Sequence, residues 1–323
     1  MNNKFIINTE FFLECHGSCS GCFLTSNERI TKATNYLNIF EELKNISKDY
    51  AGVNFGHLVI GFGRGNLLSM SENQLIDLLN LMVWCENNFS YEEITFEVST
   101  SLIGKIDAQI IVANFLISKN RHIYFNIVIN SEIVSKNFWS NLSLFYSATS
   151  NVRKSWGMVE DWGDIVVLNV NPEKLPELGF IKEFVKDHRS PINISVFPYD
   201  KSITLSSLQN LDAWATELWD ILREKDFNVK NYFEVFYSFD FPYHISEVLK
   251  YHRESEGRYI FVDKDGKRTK GMPSIMGEEN MTMLKTREEV ENWLKTYESK
   301  NLTEKLMEEL HPMVGIESKK KKI

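Results

Sequence analysis

Short apolar segments alternate with longer amphipathic segments six times over the first 225 residues of the chain. Several short segments, such as Leu58–Phe62 and Phe125–Asn130, are almost continuously apolar, which is typical of strands covered on both faces. This alternation predicts right-handed strand–helix–strand crossovers around a parallel sheet. The predicted strands are 4–14, 57–63, 92–99, 122–130, 164–169 and 192–198, and the predicted helices are 28–50, 71–88, 103–118, 132–147, 172–189 and 205–225.

Six strand–helix units allow two arrangements of the sheet. They are two units short of a complete eight-fold barrel, so an open six-fold barrel and a doubly wound sheet both fit the pattern. In either arrangement, ligands bind at the carboxyl ends of the strands, where the following loops begin. The loop after the first predicted strand is therefore a candidate binding position.

The pattern changes after about residue 227, so we assign 1–227 to the α/β region and 228–323 to a smaller α+β extension. Within the extension, Arg258–Arg268 predicts a β-hairpin with its turn at Lys264–Gly266. The segment 287–310 carries apolar residues at helical spacing and predicts a last amphipathic helix.

Composition excludes several classes of protein. The 323 residues are 43% hydrophobic and 13% aromatic, enough to bury a large core, which excludes a disordered or fibrous chain. The formal net charge of −8 opposes contact with nucleic-acid phosphates. No apolar stretch approaches the roughly 20 residues that span a bilayer, and the N-terminus lacks the apolar segment of a signal peptide. We therefore expect a cytoplasmic protein with no membrane partner.

The four cysteines are unevenly distributed. Cys15, Cys19 and Cys22 fall within eight residues, whereas Cys85 stands alone. Because cytoplasmic thiols stay reduced, clustered cysteines indicate metal or redox chemistry rather than disulfides. Thiolates favour zinc, copper(I) and iron–sulfur clusters. Four cysteines would complete a cubane cluster, whereas three leave one iron open to another ligand.

The alternatives are a zinc site completed by Cys85 or His16, and three incidental thiols. Zinc sites usually contain two paired blocks of Cys or His, and this sequence has one block. Cys85 lies at the apolar end of a predicted helix, where a buried cysteine packs as a small hydrophobic side chain.

The Cys15-x3-Cys19-x2-Cys22 motif after a first strand, followed by strand–helix alternation, resembles the radical S-adenosylmethionine superfamily. The resemblance covers residues 4 to about 200 and implies an α/β fold, a partial (β/α)6 TIM-like barrel. It also implies that Cys15, Cys19 and Cys22 hold a [4Fe-4S] cluster whose open iron chelates S-adenosylmethionine. One electron from such a cluster cleaves the sulfonium, and the resulting deoxyadenosyl radical abstracts a substrate hydrogen, so no catalytic side chain is assigned.

Further segments resemble cofactor-binding positions of that superfamily. Residues 63–66, Gly-Arg-Gly-Asn, stand where members often have Gly-Gly-Glu-Pro, and Gly21 replaces the aromatic residue usual before the third cysteine. Glu97 and Ser99 share one face of the third strand by the period-two rule. The cofactor contacts that the resemblance implies are Gly63, Arg64, Gly65, Asn66, Glu97, Ser99, Asn130, Ser131 and Phe197.

The predicted hairpin resembles the scaffold of SPASM-type extensions in peptide-modifying members, but the extension contains no cysteine. Any radical chemistry would therefore use a single cluster, reduced by a protein such as a flavodoxin or ferredoxin. The resemblance favours modification of a ribosomally made peptide. The alternatives are a small-molecule or nucleoside substrate, and a non-catalytic partner protein that kept the fold; the net charge disfavours a nucleic-acid partner.

Overall fold

The computed structural model describes residues 4–17, 26–130, 136–157, 164–170, 175, 177–179, 182–183, 193–198, 214, 217, 221 and 259–270. Five labelled helices and eight strands are assigned within these ranges. The strands are β1 (Lys4–Phe12), β2 (Asn54–Arg64), β3 (Ser90–Thr100), β4 (Ile123–Asn130), β5 (Ile165–Val170), β6 (Asn193–Pro198), β7 (Tyr259–Val262) and β8 (Arg268–Lys270). The helices are α1 (Ser26–Arg29), α2 (Tyr36–Asp49), α3 (Glu72–Asn88), α4 (Ile106–Lys119) and α5 (Lys136–Ser155), with a 3-10 turn at Leu67–Ser69.

The strands form one sheet in the order β6-β5-β4-β3-β2-β1-β7-β8. Strands β1 to β6 are parallel, and each of β1 to β5 pairs with the strand that follows it in the chain. A doubly wound sheet reverses its strand order at a switch point, whereas β1 to β6 advance in one direction. The predicted α/β class is confirmed, and the sheet has the singly wound order of a partial barrel rather than the doubly wound alternative.

The two faces of β3 differ in polarity. Ile94, Phe96 and Val98 are at most 1% exposed and belong to the apolar core that also contains residues of α3 and α4. The alternate positions include Glu97 and Ser99, which are partly exposed. As predicted, these two polar residues share one face, and they lie opposite the apolar core.

A buried ion pair between Arg153 of α5 and Asp164, the residue before β5, connects this helix to the sheet. Arg153 and Asp164 are at most 1% exposed, and their Nη2 and Oδ1 atoms are 2.8 Å apart. The same Asp164 oxygen accepts the Phe125 amide at 2.7 Å, and Arg153 Nη1 donates to the Ile123 carbonyl at 3.0 Å. Breaking such a buried pair typically costs about 3–5 kcal/mol.

The helix predicted over 28–50 is wrong in one respect, because the structure divides it into α1 and α2. Between them, Thr34 forms an antiparallel bridge with Phe12. The Asn35 amide donates to the Phe11 carbonyl at 2.8 Å, and its side-chain nitrogen donates to the Glu10 carbonyl at 2.7 Å. These bonds hold the segment against the end of β1, so it cannot continue as a helix.

The predicted hairpin is confirmed as β7 and β8. Asp263 Oδ1 accepts the amides of Asp265 and Lys267 at 3.0 and 2.8 Å, and Gly266 adopts a φ of 78°, a backbone conformation that favours glycine. β7 pairs in parallel with β1 and extends the sheet beyond it. The helix predicted at 287–310 and the boundary at residue 227 lie outside the described residues.

The described residues contain no helix that is both long and apolar enough to cross a membrane.

Candidate functional site

The loop after β1, which we call the cysteine loop and which the structure describes at residues 13–17, carries the first cysteine of the motif. Cys15 is partly buried, and its amide donates to the Arg29 carbonyl at 2.9 Å. The Gly17 amide points to Cys15 Sγ at 3.4 Å, and Arg29 Nη1 donates to the Gly17 carbonyl at 3.0 Å. Helix α1 therefore holds the start of the loop at the carboxyl end of the first strand.

Cys19 and Cys22 lie outside the described residues. Among residues that the structure does describe, no group of three or more His, Cys, Asp or Glu could hold a metal ion. The side chain of His16 is mostly exposed, and its Nε2 atom lies 3.6 Å from Glu14 Oε1. Cys85 is fully buried in the apolar core on α3, where burial raises the pKa of its thiol.

The turn after β2 packs directly on the cysteine loop. The Gly65 amide donates to the Phe12 carbonyl at 3.0 Å, and the Asn66 amide donates to the Glu14 carbonyl at 2.7 Å. A Cβ atom on residue 65 would lie 2.6 Å from the Phe12 oxygen and 2.8 Å from the Glu14 oxygen. Glycine at this position is therefore required by the close approach of two backbones.

The side chain of Asn66 turns away from this contact into a buried polar network. Its Oδ1 accepts the Thr100 hydroxyl at 2.8 Å, and it is 1% exposed. The same hydroxyl lies 3.2 Å from Gln109 Oε1, and Gln109 Nε2 donates to the Ile103 carbonyl at 2.7 Å. Asn66 thus joins the turn after β2 to the end of β3, and its predicted role toward a cofactor stays a prediction.

Arg64 has a backbone φ of 84°, which is unfavourable for a residue with a side chain. Its Nη1 lies 2.5 Å from Glu10 Oε1, and its guanidinium lies over the Phe261 ring at 4.7 Å from the centroid. Glycine adopts such a conformation at little cost, whereas arginine requires its surroundings to hold it there. In this chain, the ion pair and the ring hold Arg64 in place.

Polar side chains line the face of the sheet opposite the core. Asn126 Nδ2 donates to Glu97 Oε2 at 3.3 Å, and Ser99 pairs with Asn126 in the strand register. A Cβ atom on Gly63 would lie 3.3 Å from Ser99 Oγ. The three predicted residues Gly63, Glu97 and Ser99 therefore come together on adjacent strands.

The remaining predicted contacts fall on β4 and β6. Asn130 pairs with Asn169 of β5, which pairs in turn with Phe197 of β6. The backbones of Asn130 and Phe197 thus belong to one row across three strands, near the carboxyl ends. Ser131 lies outside the described residues.

Sequence reasoning missed three polar residues close to these positions, namely Asn8, Glu10 and Asn126. Glu10 is 6% exposed although it is charged. The β1–β2 register shifts between Thr9 and Phe12, with one more residue in β1 than in β2, so simple alternation does not predict where Glu10 points. For Asn126, the signal was a polar residue inside an otherwise apolar strand.

Comparisons with known proteins give distant similarities only. No protein-family model matches the chain, and no curated protein matches it. Among solved structures, it is similar to coproporphyrinogen III oxidase (HemN) from Escherichia coli, described as a radical SAM enzyme, with 16% identity and a TM-score of 0.39 over 64% of this chain and 48% of that chain. It is also similar to Streptococcus suis SuiB bound to S-adenosylmethionine, with 12% identity and a TM-score of 0.44 over 84% and 59% of the two chains.

A third similar structure is anSMEcpe with bound AdoMet, with 14% identity and a TM-score of 0.45 over 90% of this chain and 81% of that chain. The chain spans about half the length of the HemN structure and 59% of the SuiB structure.

Proposed function

We propose that this protein is a radical S-adenosylmethionine enzyme that uses one [4Fe-4S] cluster held by Cys15, Cys19 and Cys22. The observation that carries the proposal is the position of Cys15. It follows the first strand of a singly wound parallel sheet, at the carboxyl edge where such sheets bind ligands. The Cys-x3-Cys-x2-Cys spacing supplies three soft ligands in that loop.

The described residues fit such a cofactor in two ways. Gly65 allows the turn after β2 to lie against the cysteine loop, so backbone amides and carbonyls of both segments are close to Cys15. Glu97, Ser99 and Asn126 give the neighbouring face of the sheet hydrogen-bonding groups for a polar ligand. When bound, the cluster and S-adenosylmethionine supply an electron and a carbon radical that abstracts hydrogen, a reaction that protein acids and bases cannot perform.

For the substrate, we propose a ribosomally made peptide. Support comes from the hairpin Tyr259–Lys270, which resembles the scaffold of extensions in peptide-modifying members of the superfamily and lies next to β1. We further propose a cytoplasmic location and a flavodoxin or ferredoxin as the reductant, since a reduced cluster requires an electron donor.

The cluster proposal is tested by anaerobic reconstitution of the full chain, followed by iron analysis and EPR after dithionite reduction. We expect about four irons per chain and release of deoxyadenosine from S-adenosylmethionine. The Cys19→Ala variant should lose both, whereas Cys85→Ala, a change in the apolar core, should keep both. A cluster without deoxyadenosine would favour the non-catalytic alternative, and zinc in place of iron would refute the proposal.

The peptide proposal is tested through the neighbouring genes. A short open reading frame beside this gene would be co-expressed with it, and the peptide product would be analysed by mass spectrometry. A mass change that requires Cys19 supports peptide modification. An unchanged peptide together with active cleavage of S-adenosylmethionine would favour the small-molecule or nucleoside alternative.

A further inference from the structure

The hairpin turn contacts the region of the cysteine loop through four charged residues, which we call the hairpin clasp: Glu10, Glu28, Arg64 and Lys264. Lys264 Nζ lies 2.6 Å from Glu28 Oε1, and the Lys264 amide donates to Glu10 Oε2 at 2.9 Å. The other oxygen of Glu10 lies 2.5 Å from Arg64 Nη1. The clasp therefore joins the turn between β7 and β8 to β1, α1 and the end of β2.

Helix α1 transmits this contact to the cysteine loop. Glu28, the partner of Lys264, is adjacent in sequence to Arg29. Arg29 makes the two hydrogen bonds that fix the loop, from its guanidinium to Gly17 and from the Cys15 amide to its carbonyl. A helix of four residues has little stability of its own. The position of α1 therefore depends on contacts such as the one with Lys264.

The hairpin itself is anchored independently of the Lys264 ammonium group. Four residues of β7 pair with β1, and Arg268 binds Glu42 at 2.5 Å and Asp49 at 2.6 Å. Asn38 Nδ2 also donates to the Lys264 carbonyl at 3.0 Å, a contact that uses only the backbone of residue 264. Removing the ammonium group should therefore release α1 while the hairpin stays in place.

We propose that Lys264 is a positioning residue for the cysteine loop. Its ammonium group holds Glu28 and hence α1, so that Arg29 keeps Cys15 and Gly17 in one arrangement before a cluster is bound. The hairpin, nearly 250 residues away in sequence, thus prepares the loop for its ligand. The importance of this arrangement for a cluster rests on the proposed function, but the ordering of the loop does not.

The test compares Lys264→Met with Lys267→Met, in which an exposed lysine of the same turn is replaced. Hydrogen exchange is measured on the iron-free, full-length protein, in peptides that report the amides of Cys15 and Gly17. We expect Lys264→Met to accelerate exchange there by about two- to fivefold, the range that a partly exposed ion pair produces. Lys267→Met and Lys264→Arg should exchange at the wild-type rate.

Two results would overturn the proposal: equal loop exchange in the two methionine variants, or an equal acceleration in α3, which would indicate general destabilisation. Glu28→Gln provides a second variant, and it should accelerate loop exchange to the same extent. If Lys264→Met does not fold, this variant decides the question.

A spectroscopic measurement connects the clasp to the cluster. After reconstitution, Lys264→Met should lose iron to a chelator about two- to fivefold faster than Lys267→Met, and its reduced EPR signal should be broader. Equal rates with accelerated loop exchange would refute a role toward the cluster. Wild-type protein that takes up no iron would refute the proposed function, whereas the exchange experiment on the iron-free chain would still decide whether Lys264 orders the loop.

Discussion

Replacing Gly65 with alanine tests the close approach of the β2 turn to the cysteine loop. The added Cβ would lie 2.6, 2.7 and 2.8 Å from backbone atoms of Phe12, Leu13 and Glu14. These atoms cannot rotate away as a side chain would, so the turn must move and strain its bonds to Phe12 and Glu14. Each bond contributes about 0.5–1.5 kcal/mol, and overpacking of this kind costs about 1–3 kcal/mol. We expect the free energy of unfolding to fall by about 1–3 kcal/mol.

The measurement is urea unfolding followed by circular dichroism, with Gly179→Ala as the matched control. A Cβ on residue 179 would have nothing within 4 Å, and alanine is favoured over glycine in a helix, so this variant should keep the wild-type stability or exceed it by up to about 1 kcal/mol. Hydrogen exchange at the Asn66 amide should also accelerate in Gly65→Ala. Wild-type stability together with wild-type exchange at Asn66 would show that the two segments are not in contact, and would refute the reasoning.

Three further predictions concern other parts of the chain. Cys85→Ala should lower stability by about 1–2 kcal/mol through the small cavity it leaves, yet bind as much iron as wild type, whereas Cys19→Ala should bind none; iron analysis of both variants checks this. The hydrogen bond with Glu28 raises the pKa of the Lys264 ammonium group in the folded protein. The stabilisation by this ion pair should therefore be present below pH 10.5, the ordinary pKa of lysine, and it should be lost as the pH rises through the folded-state pKa. The stability difference between wild type and Lys264→Met, under about 1 kcal/mol at pH 8, should therefore decrease as the pH rises above 10.5, and a difference that stays constant over this alkaline range would contradict the assignment. Gly61→Ala places a Cβ 1.7 Å from Asn8 Oδ1, and a double-mutant cycle with Asn8→Ala should give a coupling energy above about 0.5 kcal/mol; strictly additive effects would show that the two residues do not touch.

Local signals in the sequence predicted much of the fold. The six parallel strands were predicted because each is a compact apolar segment, as in Leu58–Phe62. The hairpin was predicted because Lys264–Gly266 has the residue types of a tight turn. Both signals depend on neighbours in sequence, so no knowledge of distant contacts was needed.

Long-range contacts account for what could not be predicted. The helical pattern of 28–50 continues through Thr34, but the bridge from Thr34 to Phe12 interrupts the helix. The pairing of β7 with β1 could not be predicted locally, because the residues of a strand predict its extended conformation but not the strand with which it pairs. The positive φ of Arg64 could not be predicted from its neighbours in sequence either, and its side chain contacts Phe261, a residue nearly 200 positions away.

The parallel pairing of β1 with β7 has a consequence for biosynthesis. β1 leaves the ribosome well before the strand that covers its outer edge, because β7 follows it about 250 residues later in the chain. At about 5–20 residues per second, that edge stays unpaired for roughly 12–50 s during translation. Unpaired strand edges are templates for association with other chains. Chains that end before residue 259 should therefore aggregate more readily than full-length chains, and the nascent protein should depend on chaperones during this interval.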